Sequence, residues 1–210
     1  MQYLEFSESI RRISKHPLPG FDAHNKLVPG YRQQILKKYN GNANTKKAAV
    51  LALFYPDMEG NTRLLLTLRA SYKGTHSAQI SFPGGKTEGH DNNLAATALR
   101  ETYEEVGIPT TTIQMVRELT NVYIPPSNFL VTPFIGITDS TPIFKTNHEV
   151  ESLVEVLLSD LLDDQFIRFK TTDEITGTET KIPYYNFNNR MVWGATAMII
   201  SEIKELIKTT

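Results

Sequence analysis

The stretch from Ser81 to Ile108 constrains this chain more than any other, because it joins a glycine turn to a helix rich in glutamate. At 3.6 residues per turn, three carboxylates of this helix fall within one narrow arc, and small or apolar side chains fall on the opposite side. The carboxylates are those of Glu101, Glu104 and Glu105, and the expected packing face carries Ala95, Ala96, Leu99, Tyr103 and Val106. The pattern predicts an amphipathic helix that gathers negative charge on one side.

The gathered carboxylates need a compensating positive charge. Like charges three or four residues apart on a helix repel by roughly 0.2–0.5 kcal/mol per pair. Arg100 supplies one cation, four residues before Glu104. The remaining charge suits a hard divalent ion, because proteins hold Mg2+ with a few carboxylates together with substrate phosphates. The chain has no cysteine and its 5 histidines are scattered, which argues against a zinc site.

The flanks of the helix favour a functional site over a solvated acidic face, which is the plain alternative for such a helix. Gly84 and Gly85 precede it, and paired glycines let the backbone approach a ligand closely. Asp91 or Asn92 is expected to cap the first turn, and Gly107 is expected to end the last.

The same residues resemble the Nudix box, GX5EX7REUXEEXGU. The matching positions are Gly85, Arg100, Glu101, Glu104, Glu105, Gly107 and Ile108. Asp91 fills the early acidic position, and 8 residues rather than 7 separate it from Arg100. The upstream run from Leu64 to Gly85 is similar to the additional motif of the coenzyme A pyrophosphatase branch, with Ala78-Gln79 in place of the usual Gly-Gln. In that branch we expect this longer spacing between the early acidic position and the arginine of the box.

The resemblance implies a Nudix hydrolase that needs Mg2+ or Mn2+ and splits coenzyme A or acyl-CoA. The products would be 4'-phosphopantetheine, or its acyl form, and adenosine 3',5'-bisphosphate. The implied metal ligands are Glu101, Glu104, Glu105 and Gly85, and the implied catalytic residues are Arg100, Glu101, Glu104 and Glu149. The implied substrate-binding residues are Arg69, His76, Gln79 and Gly84.

Arg69 also has an argument from its position alone. It ends a predicted strand just ahead of the glycine turn, where the rigid donor fork of an arginine could contact a phosphate. Lys73 and Lys86 are weaker candidates, and we interpret both as solvated side chains.

Two alternatives remain open for function. The first is a Nudix hydrolase with another substrate, such as ADP-ribose, a nucleotide sugar or a dinucleoside polyphosphate. The second is a Nudix-like module that senses nucleotides without turnover. The intact REXXEEXG core weighs against a sensor, because a sensor does not need the whole set of carboxylates.

Composition limits the partners of the chain. Its 210 residues, 40% of them hydrophobic, suffice for one well-buried domain, and a net charge of −1 gives no reason to expect nucleic acid or a membrane surface as a partner. No apolar run is long enough to span a membrane, and the N-terminus lacks the apolar core of a signal peptide. We expect a cytoplasmic protein and leave its oligomeric state open, with a homodimer as one alternative.

The rest of the chain predicts an α+β fold, an α/β/α sandwich in which helices flank a Nudix-like mixed β-sheet. Residues 1–47 are expected to form a helical extension packed on the core, and residues 48–210 the hydrolase domain. The predicted strands are 48–55, 62–69, 113–119, 129–137, 167–172 and 181–187, with a proline-stiffened loop over 121–128 and a closing helix over 192–207.

Overall fold

The computed structural model describes residues 1–29, 44–70, 79–173 and 179–209. Its helices, apart from short 3-10 turns, are α1 (Tyr3–Arg12), α2 (Gly20–Asn25), α3 (Leu94–Val106), α4 (Leu158–Leu162) and α5 (Gly194–Lys208). Its strands are β1 (Lys46–Pro56), β2 (Thr62–Arg69), β3 (Ile80–Ser81), β4 (Gly84–Lys86), β5 (Gln114–Glu118), β6 (Val122–Ile124), β7 (Phe129–Ile137), β8 (Val150–Leu157), β9 (Ile167–Asp173), β10 (Glu179–Phe187) and β11 (Arg190–Val192). No helix within these ranges is both long and apolar enough to cross a membrane.

Eight strands form one mixed sheet around β1. The order β3-β2-β1-β7-β5 runs across the sheet, and in addition β4 pairs with β1, β6 with β7 and β8 with β2. β1 and β7 run parallel, from Lys46 beside Phe129 to Phe54 beside Ile137. The other pairings among the described strands of this sheet are antiparallel, including the predicted hairpin of β1 and β2.

Strand alternation on β1 sends its side chains into two cores. On one face Leu51 and Leu53 pack with Ala98 and Val106 of α3. On the other face Phe54 packs in a larger core that includes residues of α1 and α5. Helices therefore cover both faces of a mixed sheet, and the predicted α+β sandwich is confirmed.

The first 29 residues pack against the larger core. α1 buries Phe6 and Ile10 there almost completely. A buried polar cluster ties α2 to α5, since the Glu202 carboxylate lies 3.0 Å from His24 Nε2 and accepts a hydrogen bond from Thr120 Oγ1 at 2.6 Å. This polar contact thus joins a residue near the start of the chain to the closing helix.

The predicted division into an extension, residues 1–47, and a hydrolase domain, residues 48–210, stays a prediction. Residues 30–43 lie outside the described part of the chain. β1 begins at Lys46, so the first residues of the sheet fall inside the predicted extension.

The segment between β5 and β7 is not the plain loop that the sequence predicts. It contains β6, which pairs antiparallel with β7, and then a 3-10 turn over Pro125–Ser127. Three residues carry too little periodicity to identify a strand, and the two prolines hide it further. The predicted second hairpin is present as β9 and β10, which form a separate small sheet with β11.

Candidate active site

The glycine turn leads into α3 through a polar cap. Asn93 caps the helix, because its side chain accepts a hydrogen bond from the Ala96 N–H at 2.8 Å, so the expected cap at Asp91 or Asn92 is wrong. Asp91 is engaged elsewhere. Gly107 ends the helix as predicted, with a φ of 75° in the left-handed region that favours glycine.

Arg100 organises the loop and the first half of the acidic surface. Its guanidinium donates to both carboxylate oxygens of Asp91, from Nε at 2.9 Å and from Nη2 at 3.0 Å. Its Nη1 lies 3.0 Å from Glu101 and 3.0 Å from Glu104, and its Nη2 donates to the Lys86 carbonyl at 3.1 Å. Hydrogen bonds from Arg100 hold the pKa of Asp91 well below its usual range. Asp91 therefore stays ionised and fixes the arginine.

Gly85 lies directly against the carboxylate of Glu101. A Cβ added at Gly85 would stand 2.5 Å from the Glu101 carboxyl carbon, closer than real Cβ atoms come to any neighbour. A side chain at this position would displace the Glu101 carboxylate, and the lack of one lets the backbone of β4 meet an acidic group of α3. Burial raises the pKa of Glu101, and the nearby charge of Arg100 opposes that shift.

Glu105 is buried, although the helical wheel places it on a solvated acidic face. Its carboxylate accepts a hydrogen bond from the Gly84 N–H at 3.2 Å and another from Arg69 Nη1 at 3.2 Å. These partners make burial tolerable, because a buried carboxylate needs donors. Burial still dominates and raises the pKa of Glu105 to about 7.

The packing face of α3 also differs from the expected one. Its buried residues are Thr97, Ala98, Thr102, Glu105 and Val106, whereas Tyr103 is exposed. Val106 is buried as expected, and Ala95 and Leu99 pack against the same core. The buried threonines were not expected, because the wheel alone assigns polar side chains to solvent. Thr102 satisfies its hydroxyl by donating to the Ala98 carbonyl within the helix.

Arg69 joins two of the acidic groups. Its Nη1 pairs with Glu105 and its Nη2 donates to Glu149 at 3.1 Å. The backbone holds the same residues together, since the Arg69 N–H donates to the Gln79 carbonyl at 3.0 Å and the Ala70 N–H to the Glu149 carbonyl at 2.8 Å. The end of β2 therefore carries an arginine between α3 and the start of β8.

These groups open into a cleft of about 560 Å³, within the range of about 300–1,000 Å³ usual for small-molecule sites. The predicted site residues in its lining are Arg69, Gln79, Gly84, Gly85, Glu101, Glu105 and Glu149. Arg100 and Glu104 lie outside the lining. Arg100 pairs with Glu101 of the lining, and Glu104 pairs with Arg100, whereas His76 lies outside the described residues.

Apolar and aromatic residues complete the cleft. They come from β1, β6, β7 and the start of α5, and include Val50, Ile124, Phe129, Val131 and Trp193. Nothing in the sequence identifies Phe129, Val131 and Trp193 as site residues, because apolar side chains are typical of a core until the topology is known. The sequence does indicate Asp91 as a site residue, since it fills the early acidic position of the Nudix box.

The acidic residues of the cleft fit a divalent cation, although no three acidic or histidine side chains of the described ranges already stand close enough to hold one together. The donors are carboxylate oxygens, which hard cations prefer. Burial raises the pKa of both Glu101 and Glu105, and the charge of Glu149 raises each further. A cation among these three groups and the Gly85 carbonyl would relieve that mutual repulsion.

Comparison with known proteins places this geometry in a family. The NUDIX domain profile matches residues 45–174. The "Uncharacterized Nudix hydrolase NudL" of Yersinia pestis (strain Pestoides F) is 32% identical over 168 residues, which cover 79% of this chain and 82% of that protein. The crystal structure of RenU, a Nudix hydrolase from M. smegmatis, has a TM-score of 0.55 at 18% identity and covers 79% of this chain and 87% of its own. A MutT/nudix family protein from Enterococcus faecalis has a TM-score of 0.52 at 12% identity, with 90% and 73% covered. The two solved structures support the fold, and the profile and the Yersinia relative show that this chain belongs to the Nudix hydrolase family.

Proposed function

We propose that this Nudix hydrolase splits the diphosphate of coenzyme A or acyl-CoA, releasing 4'-phosphopantetheine or its acyl form and adenosine 3',5'-bisphosphate. The observation that carries the proposal is the lining of the cleft, which includes Gln79 and Pro126 in addition to the carboxylates. Coenzyme A has large groups on both sides of its diphosphate, so its recognition must extend well beyond the diphosphate. Gln79 also belongs to the run that resembles the coenzyme A branch motif.

Different residues of the chain have different roles at the diphosphate. Glu101, Glu105 and Glu149 would hold the Mg2+ or Mn2+, and Arg100, itself fixed by Asp91, orients Glu101. When bound, the metal supplies charge neutralisation of the diphosphate and a lower pKa for an attacking water. Arg69 lies in the cleft lining between two of these carboxylates, where its donor fork is close to the place of the reacting phosphates.

The apolar walls serve the same reaction by positioning the substrate. Contacts to parts of the substrate that do not react can be used to orient the phosphorus and to exclude water from it. The walls formed by β1, β7 and the start of α5 are suited to that task, because they are apolar and continuous with the carboxylates.

The experiment is a panel assay of the purified protein with coenzyme A, ADP-ribose, a nucleotide sugar and a dinucleoside polyphosphate. We expect the highest kcat/KM on coenzyme A, complete loss of turnover with a chelator, and recovery on addition of Mg2+ or Mn2+. A higher kcat/KM on any of the other three substrates overturns the coenzyme A assignment. Full activity after exhaustive chelation overturns the metal-dependent mechanism.

A variant in the cleft wall tests whether the protein recognises parts of coenzyme A outside the diphosphate. Gln79→Ala should reduce kcat/KM for coenzyme A several-fold more than for ADP-ribose, because the contact lies outside the diphosphate. Gln165→Ala is the matched control, since that side chain is exposed and lies outside the cleft lining. Equal losses on both substrates would assign Gln79 to the reaction centre instead.

A further inference from the structure

Two lysines and one aromatic ring lie together on the cleft face of the sheet. On β1, Lys46 and Ala48 are two residues apart and therefore point to the same face. Lys86 of β4 pairs directly with Ala48, and Phe129 of β7 pairs directly with Lys46. Directly paired residues share a face, so these four side chains form one row that crosses three strands.

Three of these four residues line the cleft. Ala48, Lys86 and Phe129 all line it, and Lys46 places its Nζ 5.5 Å from the centre of the Phe129 ring. From the strand rise and spacing, the Cα atoms of Lys46 and Lys86 are about 8 Å apart, so both ammonium groups can reach one anion. Lys47 points to the opposite face by alternation.

The two ammonium groups carry charge that the described residues do not neutralise. Among the ion pairs of the described ranges none involves Lys46 or Lys86, whereas Arg69 and Arg100 are each held by two or more carboxylates. Negative and positive charge therefore lie on different sides of the cleft. Its carboxylates lie on the α3 side, and the two lysines without an ion pair among the described residues lie at the first residue of β1 and at the last residue of β4.

This arrangement suits a phosphate monoester attached to a flat aromatic group. Lysine ammonium groups are good point-charge partners for phosphate, and the part of the half-buried Phe129 ring that Lys46 does not cover offers stacking to a base. Both lysines are exposed, and what favours a binding role is that they share one face with an aromatic ring that lines the cleft.

We propose that Lys46 and Lys86 bind the 3'-phosphate of the adenosine half of the substrate, and that the adenine lies against Phe129. The proposal rests on the proposed function, because it concerns the group that distinguishes coenzyme A from its dephosphorylated form. The Cα of Lys46 is about 11 Å from that of Gly85 by strand geometry. The Lys46 side chain can cover part of that distance. In coenzyme A only the ribose lies between the 3'-phosphate and the diphosphate, which would react beside Gly85.

The test compares coenzyme A with dephospho-coenzyme A, which lacks only the 3'-phosphate. We expect wild type to prefer coenzyme A, and Lys46→Met and Lys86→Met each to lower kcat/KM for coenzyme A by about tenfold, or about 1.4 kcal/mol. The kcat/KM for dephospho-coenzyme A should change less than twofold. Lys47→Met is the matched control, since it removes a neighbouring charge from the other face and should leave the preference intact.

A second measurement needs no turnover. Calorimetric titration of the metal-free protein should give tighter binding of adenosine 3',5'-bisphosphate than of AMP, and the double variant of Lys46 and Lys86 should abolish the difference. Phe129→Leu should weaken both nucleotides alike, because the base is common to them. Loss of the Phe129 ring with no effect on either nucleotide would place the adenine elsewhere.

The failure of this proposal can be told apart from failure of the proposed function. If wild type hydrolyses coenzyme A best but does not distinguish it from dephospho-coenzyme A, the lysine site is overturned and the function survives. The same conclusion follows if the lysine variants lower kcat/KM equally for coenzyme A and for dephospho-coenzyme A. If wild type prefers ADP-ribose, the function fails, and equal binding of AMP and adenosine 3',5'-bisphosphate would then overturn the lysine site as well.

Discussion

Replacing Glu105 with glutamine should stabilise the metal-free protein while it removes activity. The Glu105 side chain is buried among α3, Gly84 and Arg69. Its ion pair with Arg69, at 3.2 Å, favours the ionised carboxylate, but burial outweighs that attraction and raises the pKa to about 7. The folded protein therefore resists a charge that its chemistry needs.

The magnitude follows from the two pKa values. Glu105 ionises near 4.5 in the unfolded chain and near 7 in the folded protein, so the folded state binds more protons between these values. The wild-type free energy of unfolding therefore falls as pH rises through that window. At about 1.4 kcal/mol per pKa unit, the cost is about 3 kcal/mol above pH 7. Glutamine keeps an oxygen acceptor without the charge.

Thermal unfolding in chelator at pH 8 and at pH 4.5 tests this reasoning. For a chain of this size 1 kcal/mol shifts Tm by about 2–4 °C, so Glu105→Gln should melt roughly 6–12 °C higher at pH 8 and close to wild type at pH 4.5. Glu104→Gln is the control, because that half-exposed side chain should change stability by less than about 0.5 kcal/mol. A Glu105→Gln protein that melts at or below the wild-type temperature at pH 8 refutes the argument.

Three further predictions concern other contacts. Asp91→Asn removes the charge that holds Arg100 through two hydrogen bonds, so kcat should fall tenfold or more in steady-state assays while KM changes little. Gly85→Ala forces a Cβ into the Glu101 carboxylate, so kcat should fall at least a hundredfold and the apparent Mg2+ affinity should weaken. Glu202→Gln should cost about 3 kcal/mol in urea unfolding at pH 7. Burial raises the pKa of Glu202, but hydrogen bonds from His24 and Thr120 outweigh burial and lower it. Its stabilisation is therefore present above about pH 4.5 and is lost as pH falls through the lowered pKa.

Each of these has a control or a contrary outcome. Gly89→Ala adds a Cβ that meets no atom within 4 Å, so it should keep wild-type kcat. An Asp91→Asn enzyme with unchanged kcat would show that Arg100 is positioned by its other partners. If Glu202→Gln costs as much at pH 3 as at pH 7, the charge of Glu202 is not what stabilises the cluster.

The sequence predicts the regular parts of this fold because their patterns are local. β7 has the predicted bounds of Phe129–Ile137, since a long apolar run between turn residues leaves few alternatives. Gly107 ends α3 because a left-handed terminus is a property of that residue. Both features depend on neighbours in sequence alone.

The site could be predicted only where a motif encodes contacts between distant residues. The helical wheel exposes Glu105, because the partners that make its burial tolerable, Arg69 and Gly84, come from other strands. The expected cap at Asp91 fails for the same reason, since Arg100, nine residues away, takes its carboxylate. Lys86 is exposed as expected, but only the strand pairing shows that it also lies on the cleft face.

The parallel pairing of β1 with β7 has a consequence for how the chain reaches its fold. β1 can pair with β2 and β4 early, because those partners follow it closely, but its other edge needs β7, which is made only after α3, β5 and β6. Until then an apolar strand presents an unpaired edge, and long-range parallel pairing is slow to form. Truncated chains that end before Phe129 should therefore aggregate, whereas chains that include Ile137 can close the centre of the sheet.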